Sequence, residues 1–213
     1  MSHFVYAGGS FSRAFTPRRS ALQSGSFAKW DTRTREWSAA LRCTTSSPSP
    51  FSGTVNALVI HAARDLRIEE TPSEPLAPQQ VRIHMRAGGI CGSDLHYYQH
   101  GGFGTVRVKQ PMVLGHEVSG QVVAVGAQVQ GISVGTRVAI SPSRPCGHCM
   151  FCQQGQHSHC LHMRFYGSAM PWPHIQGAFR QEMVIEAWQA HAVADHVSDG
   201  EAAMAEPLSV ALH

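Results

Sequence analysis

Four things are scarce or missing in this chain. No stretch reaches the run of about 18 apolar residues that a transmembrane helix needs, so that class is excluded and no membrane partner is expected. Charge is sparse, at 15% of 213 residues, and it is segregated. Residues 1–54 hold seven Lys/Arg against Asp31 and Glu36, whereas the remainder holds ten basic against twelve acidic residues. The formal net charge of +3 therefore misleads, because the body has no basic footprint for nucleic acid. Cysteines are too few for a secreted disulfide scaffold: of six, four lie together, Cys91 has a candidate role of its own, and only Cys43 is left over. The chain reads as cytoplasmic. It also lacks the Gly-x-Gly-x-x-Gly turn that carries a dinucleotide pyrophosphate from a strand to a helix N-terminus. Gly101-Gly-Phe-Gly104 comes nearest, yet Arg107 stands where the third glycine belongs and no convincing helix follows.

What is present is concentrated in one loop. Cys146, Cys149 and Cys152 are separated by two residues each, and Cys160 follows after seven more. Thiolates are soft ligands, and four of them converging match the tetrahedral demand of a structural Zn²⁺. Pro145, Gly147 and Gly155 let the loop turn sharply enough to bring the sulfurs together. A disulfide-bonded loop, or buried thiols with no shared role, is the competing account. His148, His157, His159 and His162 surround the loop, but four thiolates complete a tetrahedron, so these imidazoles read as solvated.

The rest of the chain reads as mainly β with a few helices. Ala57–His61, Leu66–Glu70, Gln79–Ala87, His116–Gly126, Arg137–Ile140, Phe179–Ile185 and His191–Val193 carry β-branched or alternating patterns. Many short strands at this spacing point to a β-barrel or sandwich. Ser198-Asp-Gly-Glu201 is a capping box opening a helix over Glu201–Ala205, and Pro207 suits the first position of a second helix, Leu208–His213. Residues 1–54, rich in Ser, Arg and Gly and without an apolar period, read as a disordered or spurious extension. Their basic, acid-poor character resembles an organellar transit peptide, although the strand pattern beginning abruptly at Val55 favours a start near that residue. Residues 55–213 then form one domain, and its last helix stopping without a cap reads as a truncation.

A second set of candidate ligands lies apart from the loop. Cys91 follows Gly88-Gly-Ile, His116-Glu117 follows Gly115, and Glu206 precedes Pro207. Together they offer the thiolate, imidazole and carboxylate of an open, catalytic zinc site. Gly115-His-Glu-x-x-Gly120-x5-Gly126-x-x-Val129 resembles the zinc signature of the medium-chain alcohol dehydrogenases, and the cysteine spacing resembles their structural-zinc lobe. Cys91-Gly-Ser-Asp-Leu-His-Tyr-Tyr and Ala205-Glu-Pro-Leu-Ser-Val-Ala-Leu-His resemble the polyol branch, the sorbitol and xylitol dehydrogenases. Met163-Arg-Phe-Tyr-Gly-Ser-Ala-Met170, Pro173-His174 and Gly177-Ala-Phe179 are similar to the L-idonate-oxidising members of that branch.

The resemblance implies a GroES-like β-barrel catalytic domain with a structural-zinc lobe and with the Rossmann domain absent. It implies two Zn²⁺ per chain: one on Cys91, His116, Glu117 and Glu206, directly or through water, and one on Cys146, Cys149, Cys152 and Cys160. Ser93 accepts the proton of a substrate hydroxyl and His96 passes it to solvent, with Glu117 also at the catalytic centre. Tyr98, Arg164 and Phe165 are the candidate substrate contacts, Arg164 for a sugar-acid carboxylate. Tyr97 is placed with them or in the aromatic core. The implied reaction oxidises a polyol or sugar-acid secondary alcohol to a ketone with NAD or NADP, L-idonate to 5-keto-D-gluconate first, sorbitol or xylitol as the alternative. Without a cofactor domain the chain alone is expected to be inactive, and a homo-oligomer is expected only where that domain is present. A zinc-stabilised β-barrel with no catalytic duty is the remaining alternative.

Overall fold

A computed structural model describes Lys29–Asp31, Glu36–Ser38 and residues 53–212. The chain divides into two compact units, Met1–Ser46 and Ser47–His213. In the first, β1 (Lys29–Asp31) and β2 (Glu36–Ser38) pair as antiparallel strands. The expectation of a disordered or spurious extension otherwise falls outside the described residues, as does Cys43.

The second unit holds the β-rich body. Its strands β3 (Thr54–Ala62) and β4 (Asp65–Pro72) pair antiparallel. β5 (Gln80–Gly89) leads into α1 (Gly92–His100), then the short hairpin β6 (Gly102–Phe103) and β7 (Val106–Arg107). The glycine-rich Gly101–Gly104 segment thus serves a hairpin. Next come β8 (Met112–Val113), β9 (Glu117–Val125), β10 (Arg137–Ile140) and β11 (Ser143–Arg144). After α2 (Met150–Gln153) follow β12 (Arg164–Phe165), β13 (Glu182–Glu186), β14 (Ala190–Ala192), α3 (Asp199–Ala203) and α4 (Ala205–Leu212).

Two sheets build the barrel wall. One runs β13-β5-β9-β10-β14 and the other β4-β3-β8, with every pairing antiparallel. Residues 179–181 stitch them together. Leu58 donates its N–H to the Phe179 carbonyl at 2.8 Å, and Gln181 donates to Asn56 at 2.9 Å, before the chain turns onto β5 as β13. The pattern over Phe179–Ile185 therefore spans a corner between sheets rather than one strand, since β13 starts only at Glu182.

The main core is made of Val81 and Ile83 from β5, Val118 and Val122 from β9, Val138 and Ile140 from β10, and Met183 and Ile185 from β13. A second cluster gathers Ile60, Tyr97, Met112 and Leu114, and Phe179 packs against both. Each fully buried aliphatic side chain of this kind contributes roughly 1.5–3 kcal/mol of transfer free energy. Tyr97 belongs to this core rather than to a cleft: it is 2% exposed and its hydroxyl accepts the Ala169 N–H at 3.1 Å.

α3 opens on the Ser198 cap, whose Oγ accepts from Glu201 N while the Glu201 carboxylate accepts from Ser198 N at 2.8 Å. Arg137 fixes this helix to the barrel through Asp199 at 3.0 Å and through the Val197 carbonyl. Helix α4 begins at Ala205, so Pro207 is its third residue, not its first. A proline fits there equally well because the N–H groups of a helix's first turn have no intrahelical partner to lose.

Candidate active site

The register of β5 on β9 assembles the first donor set. Gly89, the last residue of β5, stands opposite Glu117, the first of β9. Cys91 lies two residues beyond Gly89 and His116 one residue before Glu117, so antiparallel pairing brings them together at one mouth of the barrel. The Cys91 sulfur, a His116 ring nitrogen and a Glu117 carboxylate oxygen all lie within 4.8 Å of one another. Glycines flank this meeting point on both sides. A Cβ on Gly89 would collide with the Glu117 carboxylate. Gly115 has φ +92°, and a Cβ there would enter the Phe179 ring.

Asp94 holds the strand end and the helix start in place. It is 3% exposed, and its two carboxylate oxygens accept the N–H groups of Cys91 at 3.1 Å and Gly115 at 3.2 Å. One buried carboxylate thus ties together the residues carrying and flanking both ligands. Sequence reasoning missed Asp94; its signal is an acid three residues after a helix-opening residue, a capping arrangement with Cys91 at the N-cap.

The electrostatics of the set couple the thiol to the imidazole. The Cys91 thiol is held below its ordinary pKa of 9.0, first by His116, against burial and with help from Ser93. Burial pulls the His116 imidazole down, but Cys91, Asp94 and Glu206 outweigh it and leave the ring above its ordinary value. His116 Nδ1 is buried without a hydrogen-bond partner. Such a group costs about 1–3 kcal/mol unless something fills the gap. Phe165 covers the ring edge-on, with centroids 5.3 Å apart. Glu206 stands outside the 4.8 Å group, half-buried at the start of α4, with its carboxyl pushed up by burial while His116 opposes the shift. A half-buried thiol with a buried imidazole and carboxylate fits a Zn²⁺ that keeps a position for another ligand.

The second donor set hangs from the ribbon of β11 and β12, in which Ser143 faces Phe165 and Arg144 faces Arg164. The sulfurs of Cys146, Cys149, Cys152 and Cys160 lie within 4.8 Å of one another, and none is in a disulfide. Cys146 and Cys152 sulfurs are 4.0 Å apart, close to the edge of about 3.8 Å that a ZnS₄ tetrahedron with Zn–S near 2.3 Å requires. N–H groups point at the sulfurs, as from Cys146 to Cys160 at 3.1 Å. Donation from the Cys152 N–H, aided by Leu161, brings Cys149 down to about 6, whereas burial first of all pushes Cys152 up to about 12. Thiols this crowded cannot all ionise without a cation among them, and Zn²⁺ fits. His148, His157, His159 and His162 are all exposed.

The remaining sequence candidates fall into two groups. Ser93 is within interaction range of the Cys91 thiol and is only partly exposed. His96 and Tyr98 lie exposed on α1, Arg164 is exposed on β12, and Phe165 faces His116. The ribbon base is pinned by Gln189, which is fully buried: it accepts from the Tyr166 hydroxyl at 3.0 Å and donates to the Ser141 carbonyl at 2.8 Å. Sequence reasoning did not single out Gln189, because a lone glutamine between Trp and Ala carries no pattern.

A mainly antiparallel barrel with one four-thiol lobe and one mixed donor set defines a class, and comparison with known proteins gives the family. Residues 77–195 match the alcohol dehydrogenase GroES-like domain, and the chain belongs to that family. It is 45% identical over 131 residues to the L-idonate 5-dehydrogenase (NAD(P)(+)) of Escherichia coli, a match covering 62% of this chain and 38% of that protein. It is 38% identical over 159 residues to the sorbitol dehydrogenase of Bacillus subtilis, covering 75% and 44%. The crystal structure of the E. coli L-idonate 5-dehydrogenase superposes with a TM-score of 0.71 at 38% identity, covering 75% of this chain and 45% of that one. The chain therefore spans less than half the length of these relatives. Among the described residues no helix is long and apolar enough to cross a membrane.

Proposed function

We propose that residues 55–213 are the catalytic domain of a cytoplasmic, zinc-dependent polyol or sugar-acid dehydrogenase, which oxidises a secondary alcohol to a ketone with NAD or NADP as acceptor. One observation carries this reading: a thiol, an imidazole and a carboxylate meet within 4.8 Å beside a buried imidazole nitrogen that has no partner. Cys91 and His116, with Glu117 and Glu206 directly or through water, would hold one Zn²⁺. Cys146, Cys149, Cys152 and Cys160 would hold the other. A Zn²⁺ in the open set supplies Lewis acidity, bringing the pKa of an alcohol towards neutrality.

The chain's own residues supply the handling of substrate and proton. Ser93, beside Cys91, accepts the hydroxyl proton, and His96, one turn along α1 and exposed, passes it to solvent. Phe165 forms an apolar wall against which the carbon chain of the substrate lies, with Tyr98 at its edge. Arg164, next to Phe165, meets a substrate carboxylate with a charge-assisted, fork-shaped hydrogen-bond pair. Assembly into oligomers belongs with a cofactor-binding domain.

L-idonate ranks ahead of sorbitol and xylitol on the 45% identity to an L-idonate dehydrogenase, with the exposed Arg164 as the group that meets its carboxylate. A barrel with only a structural role would have use for the four-thiol lobe but not for the Cys91 set. The test is a chimera in which residues 55–213 replace the matching part of the B. subtilis sorbitol dehydrogenase. The reading expects kcat/KM for L-idonate to exceed that for sorbitol at least about tenfold, and R164M to raise KM for L-idonate far more than for sorbitol. Preference for sorbitol, or equal effects of R164M on the two, defeats the L-idonate assignment.

A further inference from the structure

Helix α1 carries a pair of histidine donors outside both thiol-containing sets. His96 and His100 are four residues apart in α1, so their imidazoles project from one face, one turn apart. The ring centroids are 6.1 Å apart, with the planes inclined at 34°. Both side chains are exposed, and neither imidazole enters a hydrogen bond or ion pair among the described residues. The His96 ring also rests against Phe103, with centroids 6.1 Å apart, and rotamer changes of the two exposed side chains bring two nitrogens around a common ion at the usual metal–nitrogen distance of about 2.0–2.1 Å. Histidines at i and i+4 of a helix are the spacing that presents two imidazoles to one metal.

Several other described histidines are differently engaged. His61 and His84 are engaged by Glu69 and Glu182. His174 uses both ring nitrogens, accepting from Lys109 N at 2.9 Å and meeting the Pro171 carbonyl at 3.0 Å. His148 and His162 stack with planes only 15° apart, and His148 Nδ1 is bonded to the Cys146 carbonyl. Among the described residues His96 and His100 are the only histidines four apart in one helix. The pair also sits toward the C-terminal end of α1, where the helix dipole favours a cation.

We propose that His96 and His100 form a third metal site, a solvent-open bidentate site for a divalent transition ion of the Zn²⁺, Ni²⁺ and Cu²⁺ type, to which imidazole is well suited. Water fills the remaining positions, so the ion exchanges freely, unlike one enclosed by four thiolates. Occupation takes up the lone pair of His96. Excess divalent metal therefore removes the proton relay and slows turnover; this consequence rests on the relay reading, whereas the site does not.

The test titrates Ni²⁺ into the full 213-residue chain, already loaded with zinc, by isothermal calorimetry. One Ni²⁺ binds per chain beyond the resident zinc, and H96A or H100A weakens it by roughly 100-fold, the advantage of a second ligand held on the same scaffold. H148A, at the stacked pair, leaves the affinity unchanged. Electron paramagnetic resonance of bound Cu²⁺ reads two imidazole nitrogens in the native chain and one in H100A. Unchanged Ni²⁺ affinity in H100A, with zinc content retained, overturns the proposal, as does loss of Ni²⁺ binding in H148A alone. Should H100A fail to fold, H100Q is titrated in the same way: weakened Ni²⁺ binding supports the site, and unchanged affinity overturns it. The consequence is read separately in the active chimera, where excess Zn²⁺ inhibits and H100A relieves the inhibition. Inhibition unrelieved by H100A, with the Ni²⁺ result standing, counts against the relay alone.

Discussion

The two thiol-containing sets are built in opposite ways. Cys146, Cys149, Cys152 and Cys160 come from one loop, are all cysteine, and surround a point completely. Cys91, His116 and Glu117 come from the ends of two paired strands and a helix start, mix three ligand chemistries, and leave room for more. The first needs only local turns to form; the second needs the barrel register to be right. A closed set of four thiolates serves stability, and an open mixed set can serve chemistry. They are nonetheless joined, because the ribbon that carries the loop also sets Phe165 against His116.

The largest effect should come from breaking the closed set. C152S removes a buried sulfur of the proposed zinc set, and the account expects the lobe to lose order with the ion. Stability should fall by about 4 kcal/mol or more, lowering Tm by roughly 10 °C, with one zinc lost per chain. A Tm within two or three degrees of the native value, measured by circular dichroism, would mean the lobe holds without its metal.

D94N should act next, and on the open set alone. Losing the charge from a buried carboxylate that accepts one buried and one part-buried N–H costs about 1.5–3 kcal/mol. It should weaken zinc at Cys91 and His116 by roughly 10–100-fold in a chelator competition while sparing the four-thiol zinc. Equal weakening at both sites would erase the distinction between them.

A smaller effect is expected at the helix that leads to Glu206. S198A removes the α3 cap and should cost about 1 kcal/mol with no change in zinc content. The smallest is a pH dependence. Ser198 holds the Glu201 carboxyl below its ordinary value of 4.5 through its hydroxyl and its N–H. A carboxyl depressed on folding stabilises the fold above its unfolded value and loses that contribution as pH falls through the lowered one. The Tm gap between the native chain and E201A should therefore shrink on acidification below about pH 4.5. A constant gap would show that the carboxylate's charge is not what the cap uses.

Legibility in the sequence followed the same division. The four cysteines were readable from spacing alone, and β5, β9 and β10 from β-branched runs, because both signals are local. The pairing of Cys91 with His116 was readable only as a set of compatible ligand types, sharpened by family resemblance, since strand register, not spacing, brings them together. Helix α1 went unread as a helix: Gly92, Ser93 and Asp94 are weak helix formers, and the Asp94 bonds that hold its start reach a residue 21 positions away. The corner at 179–181 was unreadable for a related reason, because one β pattern cannot say that its first half pairs with β3 and its second with β5.

The central claim is that the two thiol-containing sets each hold a zinc ion and that only one depends on Cys91. The direct measurement is zinc content per chain, by inductively coupled plasma mass spectrometry, of the native protein and C91A. The account predicts about two zinc ions in the native chain and about one in C91A, with little change in Tm. A native chain holding one zinc that C91A leaves untouched would contradict it.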